Sequence, residues 1–313
     1  MNKYSVFLEG QGFFGSYPYE GDIETLQNHG IKYFVDLTCV DEELPEYTVS
    51  PECKKIKLEV YDRKVPYDLF AFTVVLLKCN QLLNRGEKIY IHCKGGHGRS
   101  GILVACLIIL QKNVSSEEAI EMTTQSHNAR EGMKEKWKRI GSPQTISQKN
   151  FVGDLFKPFR FFKAYRHGKT VGLSAFSLHP VECKIGTSRH VFPHLEAAFQ
   201  AHKKPHDSVY IEKLKKLAPV NARMLGKKQV VPRKWEKEQH KIMKKLLYLK
   251  CCQNAEVMTT VLNSGLRPFV EHTRTDRYWG DGGDGTGYNY LGKLWSEIRE
   301  RLYDDILSKN YNY

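Results

Sequence analysis

The chain has 313 residues, of which 41% are apolar and 27% charged, a balance that excludes a disordered, collagen-like or fibrous protein. This length is about twice the ~150 residues of a typical domain. We therefore expect two domains, at residues 1–165 and 166–313.

The net charge of +13 is distributed unevenly. Residues 1–160 carry 21 basic and 20 acidic side chains, whereas residues 161–313 carry 27 and 15. Residues 201–250 alone carry 15 and 4. A phosphate-rich ligand or nucleic acid is the natural partner of the second half, and a basic face kept for solubility is the alternative.

The lengths of the apolar runs and the spacing of the cysteines indicate the cellular compartment that we expect. No stretch approaches the ~18 consecutive apolar residues of a membrane span, and the first residues lack the apolar core of a secretion signal. The eight cysteines are irregularly spaced and form no CxxC pair. This pattern is typical of reduced thiols, so we expect a cytoplasmic protein with no membrane partner.

The first half alternates short apolar runs with segments of helical periodicity. In chain order, the predicted elements are a helix at Asp22–Asn28, strands at Ile31–Leu37 and Ile56–Val60, a helix at Tyr67–Asn84, a strand at Lys88–Ile91, a helix at Gly101–Gln111 that is apolar on all faces, and a helix opened by the capping box Ser115–Glu118. This alternation predicts an α/β domain with a mostly parallel sheet.

The segment His92-Cys-Lys-Gly-Gly-His-Gly-Arg-Ser-Gly101 links the last predicted strand to the apolar helix. A tight loop between a strand and a helix N-terminus directs backbone N–H groups at an anion, and glycines let such a loop curl. We expect the planar guanidinium of Arg99 to hold two phosphate oxygens. The predicted phosphate-binding residues are Lys94, Gly95, Gly96, His97, Gly98 and Arg99.

A cysteine at the base of such a loop is a candidate nucleophile. The loop dipoles and the charge of Arg99 favour a Cys93 thiolate, which would attack phosphorus. Asp62, on a loop after the second predicted strand, is the candidate general acid, and Ser100 is placed to donate a hydrogen bond to Sγ. Gln144 and Gln148 lie where a later helix could position the hydrolytic water.

Six positions of this segment agree with the HCx5R(S/T) signature of cysteine-dependent protein tyrosine and dual-specificity phosphatases. They are His92, Cys93, Gly96, Arg99, Ser100 and Gly101. The resemblance extends over roughly residues 1–160 and implies metal-free hydrolysis of a phosphorylated protein or nucleotide. It also implies that Cys93 is the nucleophile, Arg99 the phosphate clamp and Asp62 the acid. A binding domain without turnover, or a buried cysteine beside a chance arginine, remains the alternative.

The second half contains no sequence pattern typical of a metal site. His190 and His194 are four residues apart, but Pro193 argues against a helical metal pair. The Gly-rich loop that begins at Asp281 has Gly292 where a calcium loop needs a bidentate glutamate. We expect neither a metal nor a cofactor.

Carboxylates and tryptophans flank that loop. Aromatic faces such as Trp235 and Trp279 could stack on a base, and carboxylates such as Glu196 and Asp276 could stabilise oxocarbenium charge and activate water. These residues alone also fit core packing and an ordinary helix face.

The order of these residues resembles the NADAR (YbiA-like) family over roughly residues 170–305. The run Val270–Gly283 is similar to its core signature, and Glu196–Lys203 is similar to its Glu-x-x-Phe-Gln-x-x-Lys element. Gly186–His194 departs from the family by lacking a Ser or Thr directly before the glutamate, which puts substrate choice in doubt.

The resemblance implies a mainly helical α+β domain that hydrolyses N-glycosidic bonds to ribose. The substrates of such a domain are ADP-ribosylated guanine in nucleic acid, or phosphoribosyl-amine intermediates of riboflavin. It implies Glu196, Lys203 and Asp276 as catalytic residues, with Lys203 either an electrostatic clamp or an amine that forms a Schiff base. The implied ligand-binding residues are Arg223, Trp235, Glu271, Trp279, Gly280 and Asn289.

The two halves together predict a bifunctional hydrolase. Its partners would be a phosphorylated protein or nucleotide for the first domain and an ADP-ribosylated nucleic acid or nucleotide for the basic second domain. One alternative is a phosphatase that its C-terminal half targets by binding nucleotide or ADP-ribose without glycosidase turnover. Another is a pair of inactive scaffolds.

Overall fold

The computed structural model describes residues 4–8, 10–162, 172–231 and 233–309. The chain divides into two compact units, Met1–Lys157 and Pro158–Tyr313, and each is described by itself. The domain boundary that we placed at residues 165/166 falls in the segment 163–171, outside the described residues, and stays a prediction.

The first unit is built on a five-stranded sheet with the order β1-β2-β5-β3-β4, in which only the β1–β2 pairing is antiparallel. The strands are β1 (Tyr4–Phe7), β2 (Gly12–Gly15), β3 (Ile31–Asp36), β4 (Lys54–Lys57) and β5 (Lys88–His92). The helices are α1 (Glu20–Asn28), α2 (Leu69–Asn84), α3 (Arg99–Lys112), α4 (Ser116–Asn128), α5 (Glu135–Ile140) and α6 (Ile146–Asp154), with a short 3₁₀ helix at Val40–Glu42. The predicted α/β class and mostly parallel sheet are confirmed.

Local sequence explains several of these elements. The first ten of the fourteen residues of α3 are buried, as its uniformly apolar sequence predicts. The predicted capping box is present at α4, where the Ser115 hydroxyl accepts from the amide of Glu118 and the Glu118 carboxylate accepts from the amide of Ser115.

The predicted strand Ile56–Val60 is wrong in its bounds. The pairing with β3 occurs at Lys54–Lys57, and the amide of Leu58 makes its bond to Asp36 as the chain leaves the sheet edge. Only one of the four residues of β4 is even half-buried, so an edge strand rich in lysine gives little apolar signal.

The second unit is mainly helical with two small sheets, as predicted. Strand β6 (Phe159–Phe161) pairs in parallel with β9 (Phe269–Glu271), and β7 (Val181–Ile185) pairs antiparallel with β8 (Ser188–Phe192). The helices are α7 (Leu195–Ala201), α8 (Ser208–Lys215), α9 (Pro219–Lys227), α10 (Trp235–Gln253), α11 (Ala255–Leu262) and α12 (Tyr290–Lys309).

The core of this unit lies where α7, α10 and α12 meet the strands. Trp295 of α12 is fully buried, and its indole N–H donates to the carbonyl of Leu173 at 2.9 Å. Across the ranges described above, no helix is both long and apolar enough to cross a bilayer.

Candidate active sites

The loop Cys93–Gly98 connects the end of β5 to the first residue of α3 in the first unit. Gly96 adopts a φ of +70° and lies so close to β2 that a Cβ would stand 2.2 Å from the carbonyl carbon of Gly15. Only glycine tolerates both conditions. The loop is therefore fixed tightly between the sheet and the buried helix.

The carbonyl groups of this loop point away from its centre. The Lys94 carbonyl accepts from the amide of Tyr17 at 3.2 Å, and the His97 carbonyl accepts from the Ser142 hydroxyl at 2.7 Å. The Gly96 carbonyl accepts from the buried guanidinium of Arg130 at 3.2 Å. Because the C=O and N–H of a trans peptide point in opposite directions, the N–H groups that follow these carbonyls face into the loop. This orientation is the one that the predicted anion cradle requires, and anion binding at the loop stays a prediction.

Cys93 lies at the base of the cradle and is 3% exposed. The Ser100 hydroxyl is 3.6 Å from the Cys93 sulfur, within hydrogen-bond reach of a sulfur atom. The structure therefore brings the predicted nucleophile and its predicted donor together at the start of α3.

The Arg99 side chain is buried and bonded from several sides. Its Nη1 donates to the carbonyl of Val60 at 2.9 Å and to Glu42, whose other carboxylate oxygen accepts from Nη2 at 3.1 Å. Asp62 lies 3.1 Å from the same Nη2 and is mostly exposed. The predicted acid thus lies beside the predicted clamp, on the loop after β4.

A polar network supports the strand end below the loop. The Tyr47 hydroxyl and Nε2 of His92 are 2.7 Å apart, and Asp36 approaches the other ring nitrogen at 3.7 Å. Burial lowers the pKa of His92 to about 4, although the neighbouring Asp36 acts in the opposite direction. His92 is therefore neutral at physiological pH and acts as a hydrogen-bonding support for the loop.

The other predicted loop residues differ in exposure. Lys94 is exposed, whereas His97 stacks on Trp137 with ring centroids 4.3 Å apart and bonds His127 at 2.8 Å. Burial, followed by the neighbouring His127 and Arg130, lowers the pKa of His97 to about 4.

Of the two glutamines proposed to orient water, Gln148 is fully buried and Gln144 is half-buried. The Gln148 side chain accepts from the amides of Gln144 and Thr145 and donates to the carbonyl of Lys64. A Cβ on Gly98 would stand 2.8 Å from its oxygen, so Gln148 reaches the rim of the loop.

The second unit contains a pocket of about 170 Å³ that gathers most of the residues predicted there. Glu196, Lys203, Arg223, Trp235, Glu271, Asp276 and Trp279 line it, together with Ala175, Phe176, Phe199, Gln200, Lys227, Gln239, Met243 and Leu291. Four helices (α7, α9, α10 and α12), strand β9 and three segments outside these elements contribute the side chains, so only the folded unit forms the site.

Glu196 and Lys203 lie along one wall of the pocket, on and just after α7. Glu196 is buried and accepts a hydrogen bond from the Gln200 side chain at 2.8 Å. Lys203 Nζ donates to the carbonyl of Gly226 at 2.9 Å and lies 5.4 Å from the ring centroid of Trp235. Burial lowers the pKa of Lys203, although the charge of Glu196 acts in the opposite direction.

Asp276 is held by three hydrogen bonds. Its carboxylate accepts from Arg223 Nη2 at 2.8 Å and from the amides of Tyr278 and Trp279 at 3.1 and 2.9 Å. This geometry fixes a carboxylate charge at the pocket wall beside Trp279.

Gly280 and Asn289, both predicted to bind ligand, do not line this pocket. A Cβ on Gly280 would collide with Thr273 and the carbonyl of Glu271, so its role is close packing. The Asn289 side chain donates to the carbonyl of Phe269 and accepts from the amide of Glu271, which ties β9 to the start of α12. Both residues shape the loop that presents Asp276.

Sequence reasoning missed three residues that support the sites. Glu42 lies 57 positions from Arg99, and no local pattern indicates their pairing. Gln200 stands four residues after Glu196 on the same helix face, a spacing that could have indicated the contact. Lys250 is fully buried, and its Nζ donates to Ser174 and Ser177, which flank two residues of the pocket wall.

Comparisons with known proteins match each half separately. Residues 13–152 match the family model described as "Swiss Army Knife protein, DSP-PTPase phosphatase domain", and residues 161–303 match the NADAR domain model. Each match covers one of the two sites described above: residues 13–152 include the loop Cys93–Gly98, and residues 161–303 include the pocket that Glu196 and Asp276 line.

Two viral proteins resemble the first half. The chain is 35% identical over 150 residues to "Putative tyrosine phosphatase 197R" of Invertebrate iridescent virus 6. This alignment covers 47% of this chain and 51% of that protein. The chain is also 33% identical over 165 residues to "Putative tyrosine phosphatase 067L" of Invertebrate iridescent virus 3. This alignment covers 51% of this chain and 68% of that protein. The chain thus spans about half the length of the first of these relatives.

The second half resembles N-glycosidase YbiA of Shigella flexneri, with 36% identity over 132 residues, 41% of this chain and 79% of that protein. The NMR structure of E. coli YbiA covers 50% of this chain and 91% of its own, with 29% identity and a TM-score of 0.41.

A second solved structure, the crystal structure of Tk-PTP in the active form, covers 47% of this chain and 92% of its own. Its sequence identity is 22% and its TM-score is 0.39.

The fold and the two sites define a two-domain protein of hydrolase type. The chain belongs to two families: its first half is a phosphatase domain of the DSP-PTPase class, and its second half is a NADAR domain related to YbiA.

Proposed function

We propose that the chain is a bifunctional hydrolase. Its first unit would be a cysteine-dependent phosphomonoester phosphatase that acts on a phosphorylated protein or nucleotide. Its second unit would be an N-glycosidase that removes ADP-ribose from guanine bases or cleaves related N-ribosyl compounds. The observation that carries the proposal is that each unit brings together, in one place, the residues to which we assign its reaction.

In the first unit, Cys93 attacks phosphorus, forms an S–P bond and breaks the bond to the leaving oxygen, which takes a proton from Asp62. Water then attacks phosphorus, gives its proton to Asp62, and the sulfur leaves as a thiolate with Ser100 as hydrogen-bond donor. A bound phosphate would replace Asp62 at Arg99 Nη2, which would free the acid for the leaving oxygen.

In the second unit, water attacks the anomeric carbon and the bond from ribose to nitrogen breaks. Glu196 takes the proton from that water and passes it to the leaving nitrogen, which keeps the electron pair of the broken bond, and the fixed charge of Asp276 stabilises the oxocarbenium-like transition state. Trp235 and Trp279 provide ring faces for the sugar or base. Lys203 acts either as an electrostatic clamp or as an amine that forms a Schiff base with ring-opened ribose, and the burial that lowers its pKa increases the fraction of neutral amine that the second role requires.

A cross-over experiment tests both activities. The full chain is incubated with an aryl phosphate and, separately, with a guanosine-ADP-ribosylated oligonucleotide. Cys93→Ser should abolish only phosphate release, and Glu196→Gln should abolish only ADP-ribose release, so each variant is the folding control of the other. Tight oligonucleotide binding without ADP-ribose release would instead support a targeting module.

We also propose a cytoplasmic location. All eight cysteines are free thiols, and seven of them are buried. Reduced thiols are typical of proteins in a reducing compartment.

A further inference from the structure

The second unit contains a groove of about 600 Å³ that shares none of its described lining residues with the pocket of Glu196 and Asp276. The hairpin of β7 and β8 forms one wall, and helix α10 forms the other. We call this feature the strand–helix groove, and its lining includes Glu182, Lys184, Val191, Lys245, Leu249 and Gln253. Neither proposed reaction uses these side chains.

The outer edge of β7 is paired at one residue and open at another. The amide of Glu182 donates to the Gln253 side-chain oxygen at 2.7 Å, and the nitrogen of that side chain donates back to the Glu182 carbonyl at 2.9 Å. Gln253 therefore bonds β7 as a neighbouring strand would. Since the backbone groups of a strand alternate in direction, the N–H and C=O of Lys184 also face away from β8, and no described side chain bonds them. This position can accept a further strand.

One face of helix α10 forms the opposite wall. Lys245, Leu249 and Gln253 follow one another at intervals of four residues, so they lie on the same side of the helix. The bonds from Gln253 to β7 show that a single side chain spans the groove at this end. Leu249, which is half-buried, and Val191, which is 57% exposed, add apolar surface. A strand edge opposite a helix face is a channel in which an extended peptide can add to a sheet.

The charge of the strand–helix groove is positive. The charged side chains of its lining are three cations and one carboxylate: Lys184, Arg189, Lys245 and Glu182. The carboxylate of Glu182 is paired with Arg189 at 3.0 Å. Lys184 and Lys245 are exposed, and neither forms an ion pair with another residue in the ranges that the structure describes. These two ammonium groups favour a partner that carries carboxylates.

We propose that the strand–helix groove binds an extended, acidic peptide segment of a partner protein, which adds to the outer edge of β7 as a further strand. The peptide backbone exchanges hydrogen bonds with the N–H and C=O of Lys184. Its carboxylates lie beside Lys184 and Lys245, and its apolar side chains contact Val191 and Leu249. This binding is independent of both proposed activities, because the groove and the active sites have separate lining residues.

Single-stranded nucleic acid is the other partner that positive charge attracts. The described lining of the groove contains no aromatic ring on which a base could stack. A nucleic acid backbone also offers no regular row of N–H and C=O groups to pair with a strand edge. The geometry of the groove therefore favours a peptide.

Binding of a fluorescein-labelled peptide of about eight alternating Glu and Val residues, the length of an ordinary strand, tests the proposal. In fluorescence anisotropy of the full chain, Lys184→Ala combined with Lys245→Ala should raise Kd about tenfold. Lys228→Ala combined with Lys309→Ala removes the same charge from two exposed lysines outside the groove and should leave Kd unchanged. All four side chains are exposed, so both double variants should keep the Tm of the parent.

Backbone pairing has its own control. Two further peptides, N-methylated at every Glu or at every Val, keep all carboxylates but lose the amide donors along one edge or the other. One of the two should lose binding, because only one edge faces β7. Parental Kd values for both methylated peptides would overturn the strand addition, and an unchanged Kd for the Lys184 and Lys245 double variant would overturn the charge recognition. Displacement of the peptide by single-stranded DNA at a lower concentration than by unlabelled peptide would assign the groove to nucleic acid instead. No binding of the peptide to the parent would overturn the proposal and limit Lys184 to protecting an exposed strand edge.

Discussion

Both carboxylate oxygens of Glu42 bond the guanidinium of Arg99, with Oε2 accepting from Nη2 at 3.1 Å. Glu42 lies in the 3₁₀ helix after β3, and Arg99 begins α3. Burial opposes the ionisation of Glu42, but hydrogen bonds from Arg99 and from the amide of Cys39 hold its pKa below the usual range. The pair therefore orients the guanidinium before any phosphate is bound.

Glu42→Ala should destabilise the first unit by about 3 kcal/mol, because it leaves the buried guanidinium with only the mostly exposed Asp62 as a carboxylate partner. Glu42→Gln retains an oxygen acceptor and should cost less. Urea unfolding of the two variants and the parent measures this order. Equal stability of Glu42→Ala and the parent would show that the ion pair contributes nothing. Folding lowers the pKa of Glu42, so the pair contributes fully to the free energy of unfolding at pH values above the pKa that Glu42 has in the unfolded chain. This contribution is lost as the pH falls through the pKa of Glu42 in the folded protein.

Ser100→Ala should slow phosphatase turnover by about 10²-fold, because the sulfur loses a hydrogen-bond donor when it leaves phosphorus. Stopped-flow release of the aryl alcohol should show a burst, since the first step outpaces the second. Cys93→Ser, which cannot form the intermediate, should show none. A Ser100→Ala enzyme without a burst would place its defect in the first step.

The stability of the first unit should fall between pH 7 and pH 5. His92 has a pKa of about 4 in the folded protein, against 6.5 for the free side chain, so the unfolded chain binds more protons in this window. The loss from His92 is about 2 kcal/mol at pH 5, equal to 1.5 pH units at ~1.36 kcal/mol each. His92→Gln should show a shallower pH dependence in urea unfolding, and an unchanged slope would contradict the assignment.

Lys203 should form a covalent adduct with the ribose that cleavage of the glycosidic bond releases. Its lowered pKa increases the fraction of neutral amine, which can condense with the aldehyde of ring-opened ribose and expel water. Cyanoborohydride added during turnover should trap this imine, and peptide mass spectrometry should locate it at Lys203. If no adduct forms and Lys203→Arg remains active, Lys203 is an electrostatic clamp.

Lys250→Met should damage the glycosidase pocket and spare the phosphatase. The buried Nζ donates to the carbonyl of Ser174 and the hydroxyl of Ser177, which hold the turn that carries Ala175 and Phe176. Loss of these bonds should cost about 1–3 kcal/mol and raise KM for the N-riboside. Aryl phosphate hydrolysis by the same variant serves as the control, and an unchanged KM would limit Lys250 to a role in stability.

Burial also lowers the pKa of Lys250 to about 7, well below the value of a free lysine. The unfolded chain then binds more protons above pH 7, so the free energy of unfolding of the parent should rise between pH 7 and pH 9. Lys250→Met should remove part of this rise.

Local patterns predicted the parts of the fold that depend on neighbouring residues. The capping box at Ser115, the apolar helix α3 and the phosphate loop each occupy a short, continuous segment. Strands β1 and β2 were not predicted, because each has four residues and β2 begins and ends with glycine. The sheet, rather than local preference, defines such short strands.

The same distinction applies to the sites. The spacing of a single short motif predicts three site residues, because they lie within eight positions of one another: Cys93, Arg99 and Ser100. The contact of Glu42 with Arg99 forms only when the fold brings the 3₁₀ helix Val40–Glu42 beside the first residue of α3. Gly280 and Asn289 lie in the correct segment, but sequence alone does not distinguish a residue that shapes a loop from one that faces a ligand.

The burial of the first ten residues of α3 has a practical consequence. A surface loop can lose its shape while the rest of a protein survives, but this phosphate loop is continuous with a helix at the centre of its unit. Heat that releases the loop must also open the core around it. Residual hydrolysis of a chromogenic phosphate after a heat challenge would therefore rank stabilised variants of the first unit in a colony screen, with no separate folding assay.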